Sequence, residues 1–551
     1  MNKPIKRINF IEYNARINTL TTARVFPKYG TPLLAAIMKE KGYDVKIFLE
    51  GVSDMSFDRL SDCDAVCFPV FAPALNKVKE CALRFRKERP GVPVITGGPH
   101  VCCFTEDVLD FCDYAVRCEG DEALPELVAR LSAGKGAEGV KGVSYLKNKK
   151  AVHNPDRVPP QIPSTIPDIT LIQGFEQQAR LGIGRRMVVN TLQTSRGCRF
   201  GCKFCPTKKL FGGSYRNRDI DSIIADVKSK LQYNPFFFVV DNSFLSNRNR
   251  TRELLKRLAR ENLGAYFIIF ERHEIGRDDE LLKLMWDAGV RSIIVGIESL
   301  ANDNLKAFKK GQDRNEVIRS IENILRHGIH VIGTFVIGAD ADTPERGREI
   351  VEFIRKTRIS LNIFILHDLY EEERAGLIIP LNRRFKTYYR MSHPEDTGHL
   401  DYLTGSFATY FPKRMKPSSL QKCVIDVYRE VFTTEFILKY MFSPGIFPSL
   451  FGVVHGFGIR RMNEMISSIA NGGYMDYLRE IEDGLYDNDE VLIEKRLASL
   501  KGLPLPPPVK NVVDMTSYQG LTLLGITPGL VRAAVANFRG SQKPSDLSRV
   551  K

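Results

Sequence analysis

Several absences narrow the reading at once. No apolar run is long and clean enough to span a bilayer, because the richest C-terminal window, residues 436–454, is interrupted by Lys439, Pro444 and Pro448. The opening MNKPIKRINF carries no apolar stretch of a secretory signal, so a cytoplasmic protein without a transmembrane segment is expected. The 11 cysteines are odd in number and lack an export context, which argues against a disulfide framework. Nor is the composition that of a disordered chain: 43% of the 551 residues are hydrophobic and 26% charged. At roughly 100–200 residues per domain, the length calls for three or four domains. Acidic residues fall short of basic ones, 65 against 80, giving a formal charge of +15, but the excess is thinly spread. Its densest run, Arg248, Arg250, Arg252, Lys256, Arg257 and Arg260, has the spacing of a solvated helix face. A nucleic-acid role is therefore disfavoured, since binders concentrate charge in one stripe.

What is present is a repeated alternation of short apolar runs with helical patterns. In residues 1–147, strands are expected at 7–12, 44–49, 65–69, 93–96 and 114–117, with helices at 31–41, 74–88 and up to about 131. This pattern predicts an α/β fold with a doubly wound, parallel, Rossmann-like sheet. Such sheets bind ligands at their strand carboxyl ends, where Pro69, Gly97, Gly98, Pro99 and Gly120 permit close backbone approach. Residues 148–186 read as a proline-rich linker. A second alternation spans 187–370, with strands at 188–193, 236–241, 265–270, 291–297, 330–337 and 360–366. Six βα units predict a partial (β/α)6 TIM-type barrel with its site at the strand C-termini. Residues 371–503 read as a helical C-terminal region with a long helix near 418–440. A proline hinge at 504–508 then leads to a tail at 509–551.

Cys198, Cys202 and Cys205 stand at C-x3-C-x2-C spacing directly after the first barrel strand, with Gly197 and Gly201 supplying turn freedom. Three thiolates so spaced can wrap one cubane [4Fe-4S] cluster and leave its fourth iron open. A structural zinc would want a fourth nearby Cys or His, and none lies within twenty residues.

The run CRFGCKFC resembles the cluster loop of radical S-adenosylmethionine enzymes, whose middle aromatic, here Phe204, packs beside the cluster. In that family the open iron chelates S-adenosyl-L-methionine, and electron transfer from the reduced cluster yields a 5′-deoxyadenosyl radical. The resemblance continues along the barrel. Asp241 and Asn242 match a second-strand motif that meets the methionine amino group. Glu298 and Ser299, in Gly-Ile-Glu-Ser, match a fourth-strand motif near the ribose and methionine. Gly333 and Ile337 bracket a fifth-strand motif bordering the adenine. A flavodoxin- or ferredoxin-like reducing partner is implied as well.

The front region resembles the subclass that carries an N-terminal cobalamin (B12)-binding domain, through Gly42-Tyr43-Asp44-Val45, Gly97-Gly98-Pro99-His100 and Arg117-Cys118-Glu119-Gly120. The resemblance covers roughly residues 5–440. It implies a cobalamin site drawn from Pro69, Phe71, Gly97, Gly98, Pro99, His100, Glu119 and Gly120. It also implies methyl transfer to an unactivated carbon of a small-molecule or lipid-like substrate, or alternatively radical cyclisation, rearrangement or oxidation. Two departures stand out. The Asp-x-His-x-x-Gly motif that ligates cobalt in other B12 proteins is absent. After the sixth strand a Thr-Pro-x-Pro-Gly-Thr turn is replaced by a stretch containing His367, Asp368 and Tyr370, candidate proton handlers on the substrate side or, equally, a helix cap with an aromatic beneath it. Cys102, Cys103, Cys112 and Cys118 fit no ligand template and are expected to be buried and inert. The tail resembles a helix-hairpin-helix module, whose turn can offer N–H groups to a nucleic-acid phosphate. The apolar stretch 436–457 is expected to be core helix rather than a lipid-facing surface.

Overall fold

The computed structural model describes residues 4–17, 24–25, 27–179, 187–202, 204–366, 398–439 and 446–482. The front sheet contains β1 (Arg7–Glu12), β2 (Asp44–Leu49), β3 (Ala65–Pro69), β4 (Val94–Gly97), β5 (Tyr114–Val116), β6 (Val143–Lys147) and β7 (Lys150–His153) in the order β2-β1-β3-β4-β5-β6-β7. The first five are parallel and the last two add an antiparallel hairpin. Residue 147 thus ends one arm of this hairpin, and the sheet runs on to His153 inside the stretch that reads as linker. Strands β1 to β5 are apolar because both faces are covered. Helices α1 (Gly30–Glu40) and α3 (Gly120–Ser132) bury Ile8, Phe10 and Ile47 on one face, while α2 (Leu75–Glu88) covers Ile11, Val66 and Phe68 on the other. The order reverses between β1 and β3, and such a reversal opens a crevice at the strand carboxyl ends.

The second unit is a parallel sheet of six strands in chain order: β8 (Asn190–Leu192), β9 (Phe236–Val239), β10 (Tyr266–Glu271), β11 (Val290–Glu298), β12 (His330–Ile337) and β13 (Ser360–Ile365). Among the described residues no ladder closes β13 onto β8, so the barrel is partial, as expected. Side chains alternate in direction along each strand. Ile268, Ile294 and Ile332 cluster with Phe238 and Phe270, while Phe237, Ile269, Ile293 and Val331 join the large core formed with the surrounding helices.

Two sequence expectations change. The helix near 418–440 is two helices, Pro417–Val431 and Thr434–Lys439, separated where Phe432 leaves helical geometry and the Thr433 hydroxyl accepts from the Phe436 amide. The basic run lies on helix Arg248–Glu261, but not all of it faces solvent. Arg252 and Arg257 pair with surface carboxylates, whereas Arg250 turns inward and donates to the Arg218 carbonyl and the Thr194 hydroxyl. In the stretch 436–457, Ile437 is fully buried and no described helix is long and apolar enough to cross a membrane.

At the opposite end of the barrel from the site, His330 is buried between the hydroxyls of Ser292 and Ser360, at 3.2 and 3.0 Å. Burial lowers its pKa from 6.5 to about 3, so the unfolded chain takes up a proton there that the folded chain refuses. Its stabilising contribution is complete above pH 6.5 and is lost as the pH falls from that value toward 3. His330→Gln is expected to flatten the acid side of the curve of unfolding temperature against pH; an unchanged slope would count against this origin of acid sensitivity.

Candidate functional site

The reversal in the front sheet holds a cavity of about 420 Å³. Its sheet side is built by Pro69, Phe71, Gly97, Gly98, Pro99, Glu119 and Gly120, all anticipated, together with Cys102 and Cys118. Gly98 is the position where glycine is required. Its φ is +96°, and a Cβ there would stand 3.0 Å from both the nitrogen and the oxygen of Val70. His100 is the exception among the anticipated residues. It is buried away from the cavity, with Nε2 3.2 Å from Asp107 and its ring against Phe104, so it supplies no donor there. The short helix that begins at Pro99 turns it beneath the loop. A residue with no sequence signal takes the polar role instead. Lys28 lines the cavity over the ring of Phe71 at 4.4 Å, with Glu12 3.7 Å away, and burial lowers its pKa.

The opposite wall of this cavity comes from the barrel: Gln193, Arg196, Leu210, Phe211 and Val240. Arg196 directly precedes Gly197 and Cys198, and its guanidinium is 6% exposed. It donates to Asp121 at 2.6 and 3.0 Å and to Glu119, while Arg216 grips Glu119 from the other side. Burial alone would lower the pKa of Arg196, but the two carboxylates raise it, and the pair of acids and pair of bases cancel in charge. The start of the cysteine loop is therefore bolted to the cavity rim of the front sheet.

The loop has its own supports. Ser195 and Arg196 pair antiparallel with Asn217 and Arg216, closing residues 195–217 into a clasp. Gly197 lies at φ +84°, where a Cβ would overlap the Ser214 carbonyl at 1.9 Å. Cys198, Cys202 and Cys205 are half-buried and close enough to repel one another's thiolates. Burial raises the pKa of Cys198 and Cys202, against which Lys310 and Arg272 favour the Cys202 thiolate. Among the described residues no three Cys, His, Asp or Glu side chains are close enough to grip one metal ion. The donor set is three soft thiols on one loop, partly shielded and beside two cations, which is chemistry that suits an anionic iron–sulfur group. Phe204 packs edge-on against Phe308 with ring centroids 5.0 Å apart.

The remaining barrel residues divide. Asp241 is buried, and its carboxylate accepts from the Thr194 amide (2.7 Å), the Thr194 hydroxyl (2.6 Å) and the Ser195 hydroxyl (2.7 Å). Burial raises its pKa and these donors oppose the rise. It anchors the loop's entrance, and its neighbour Asn242 is the exposed one. Glu298 sits at φ +65° where the β11 register shifts, and pairs with Lys310 at 2.9 Å. Gly296 makes room, since a Cβ there would meet both partners within 3 Å. The Ser299 hydroxyl is occupied as a cap, accepting from the Ala301 amide and the Asn304 side chain. Ile337 is part of the core shared with the helices, and a Cβ on Gly333 would run into Ile297 and Ile359 of that same core. Thr334 and Val336, one residue out of phase, are the partly exposed positions of β12. His367, Asp368, Tyr370 and the tail 509–551 lie outside the described residues.

Taken together, these features define an α/β protein in which a Rossmann-like ligand crevice shares a wall with the three-cysteine loop of a partial barrel. Residues 192–354 match the family model of the radical SAM superfamily, and residues 15–128 match that of the B12 binding domain. The chain thus carries a radical SAM domain preceded by a B12-binding domain. It is 28% identical over 364 residues to an uncharacterized methyltransferase of Pyrococcus horikoshii, covering 63% of this chain and 77% of that one. It is 25% identical over 463 residues to an anaerobic magnesium-protoporphyrin IX monomethyl ester cyclase of Rubrivivax gelatinosus, covering 79% of each. Among solved structures, the cobalamin-dependent S-adenosylmethionine radical enzyme OxsB shares the fold, with a TM-score of 0.56 at 15% identity over 97% of this chain and 81% of that one.

Arg196→Met strands the buried carboxylate of Asp121 and leaves Glu119 to Arg216 alone, a change that costs about 3–5 kcal/mol when a buried ion pair loses one partner. A clear drop in apparent unfolding temperature is expected, against almost none for the half-exposed Arg248→Ala. Equal midpoints for the two variants would refute the bridge.

Proposed function

We propose that this protein is a radical enzyme that uses cobalamin to methylate an unactivated carbon of a small-molecule or lipid-like substrate. The observation that carries the reading is the common wall: the cysteine loop and the front cavity meet at Arg196, Glu119 and Asp121. Cys198, Cys202 and Cys205 would hold a [4Fe-4S] cluster, and the apolar cavity between Pro69, Phe71, Gly97 and Gly120 would hold cobalamin. When bound, a reduced cluster supplies the electron that cleaves S-adenosylmethionine, and cobalamin supplies a carrier for its methyl group.

The chain's own residues prepare this chemistry. The three thiols must lose their protons to bind iron, which Lys310 and Arg272 ease at Cys202. Phe204 against Phe308 keeps an apolar side to the loop, limiting water there. Glu298, with Lys310 on one of its two carboxylate oxygens, keeps acceptor capacity for a hydroxyl or ammonium of S-adenosylmethionine. Asn242, exposed beside the anchored Asp241, is the donor from β9's end. Arg199 and Lys208, exposed on the loop, suit an acidic reducing partner such as a flavodoxin or ferredoxin. Among the described residues no histidine lines the cavity, which fits cobalamin held without a protein ligand to cobalt.

Anaerobic incubation with dithionite and methyl-labelled S-adenosylmethionine is expected to give both 5′-deoxyadenosine and S-adenosylhomocysteine. The similarity to a cyclase favours ring closure as the second reading, and 5′-deoxyadenosine alone would select it. Neither product, in protein with full cluster content, would overturn both. Alanine at all three cysteines should abolish the cubane signal in paramagnetic resonance and both products. Leu34 lines the cavity, and Leu34→Trp should overfill it. An overpacking cost of about 1–3 kcal/mol corresponds to roughly five- to 150-fold weaker hydroxocobalamin uptake, with iron content unchanged. Unchanged uptake would place cobalamin elsewhere.

A further inference from the structure

The cysteines of the front sheet are not all alike. Cys63, Cys67 and Cys112 are buried in the core, and burial raises their pKa. Cys102 and Cys118 instead meet on the cavity wall. Cys102 lies on the short helix Pro99–Cys103 after β4, and Cys118 in the turn between β5 and α3. Both are free thiols, and their sulfurs are 2.6 Å apart, closer than unbonded sulfurs normally sit and longer than a disulfide bond of about 2.05 Å. Cys118 is exposed while Cys102 is buried. The backbone of Cys118 is held at φ +57°, a left-handed conformation that is unfavourable for a non-glycine residue. Such strain tends to mark function when neighbouring structure enforces it. Both sulfurs also reach the carbonyl of Lys209, at 3.8 and 3.9 Å, on the helix that follows the cluster cysteines.

We propose that Cys102 and Cys118 form a redox-sensitive dithiol that closes reversibly to a disulfide on the cavity wall when a low-molecular-weight disulfide, such as glutathione disulfide, is the oxidant. The Cys118 thiolate attacks one sulfur of the small disulfide, forming a mixed disulfide and releasing one small thiolate. The Cys102 thiolate then attacks the Cys118 sulfur and expels the second. Two cysteines are oxidised by two electrons, one small disulfide is reduced to two thiols, and the two cysteine protons end on the released thiolates. Cys118 is the attacking group because it is accessible and because the hydrogen bond from Cys102 lowers its pKa. Closure removes the S–H hydrogens that the pair can offer the Lys209 carbonyl, so the oxidation state of the pair is felt at the helix adjoining Cys205. This inference does not depend on what the cavity binds.

The test uses the full-length chain, purified anaerobically without thiol reductant and equilibrated in graded ratios of glutathione to glutathione disulfide. Free thiols are then trapped by alkylation and mapped by peptide mass spectrometry. A Cys102–Cys118 linked peptide should accumulate as both free thiols are lost, and should vanish on return to excess glutathione, while Cys63, Cys67 and Cys112 stay reduced. Cys102→Ser should stop at one glutathione on Cys118, and Cys118→Ser should leave Cys102 unmodified. A wild-type protein that accumulates stable glutathionylated Cys118, links Cys118 to Cys103, or shows no change at either residue would overturn the proposal. These wild-type outcomes decide the matter even if a serine variant folds poorly.

Discussion

The arrangement depends on one buried electrostatic contact, the guanidinium of Arg196 between Glu119 and Asp121. Desolvating four charged groups is expensive, and the cost is repaid only where geometry is good and the charges cancel. Here two arginines face two carboxylates, each engaged by more than one hydrogen bond. The contact joins the second residue of the cysteine loop's clasp to the N-terminal turn of α3, where carboxylates are also favoured by the helix dipole. One ion network therefore fixes the distance between the two ligand-facing regions of the molecule.

Behind that network stands a second layer of supports with less conspicuous residues. Asp241 spends both oxygens on Thr194 and Ser195, so the carboxylate at the end of β9 shapes the loop rather than greeting a ligand. Arg250 reaches the same Thr194 hydroxyl from a helix whose leucines pack into the barrel core and whose Arg252 and Arg257 pair with surface carboxylates. Ser299 and Asp342 are joined through Asn304 and keep the β11 and β12 ends together. Of the polar groups anticipated on the barrel strands, Glu298 is the one whose charge meets a single counter-ion and whose backbone is held in an unusual conformation.

Most strand positions were legible because parallel strands covered on both faces leave runs such as AVCFP and FFFV, and helices between them carry 3.6-residue stripes. The hairpin at 143–153 was less so, since its second strand, KAVH, is mostly exposed and lacks an apolar run. The fifth-strand positions went out of phase for a different reason. Gly333 and Ile337 bound the motif, but a strand's alternation sends Thr334 and Val336 to the other face, and no motif states which phase faces the ligand. His100 was misplaced because a histidine beside a glycine-proline turn looks like a loop donor until the turn's helix is seen to bury it.

By itself the sequence determined the two alternating α/β units, the three clustered thiols and the glycine-rich strand ends, because each is a local pattern written in spacing and residue type. Only the tertiary structure decided that the loop and the crevice share one wall, that Lys28 lines the cavity and Lys310 pairs with Glu298, and that Cys102 and Cys118 touch. Those facts join residues from about 12 to nearly 80 positions apart. Their contacts arise from strand order and side-chain direction, which no single stretch of chain encodes.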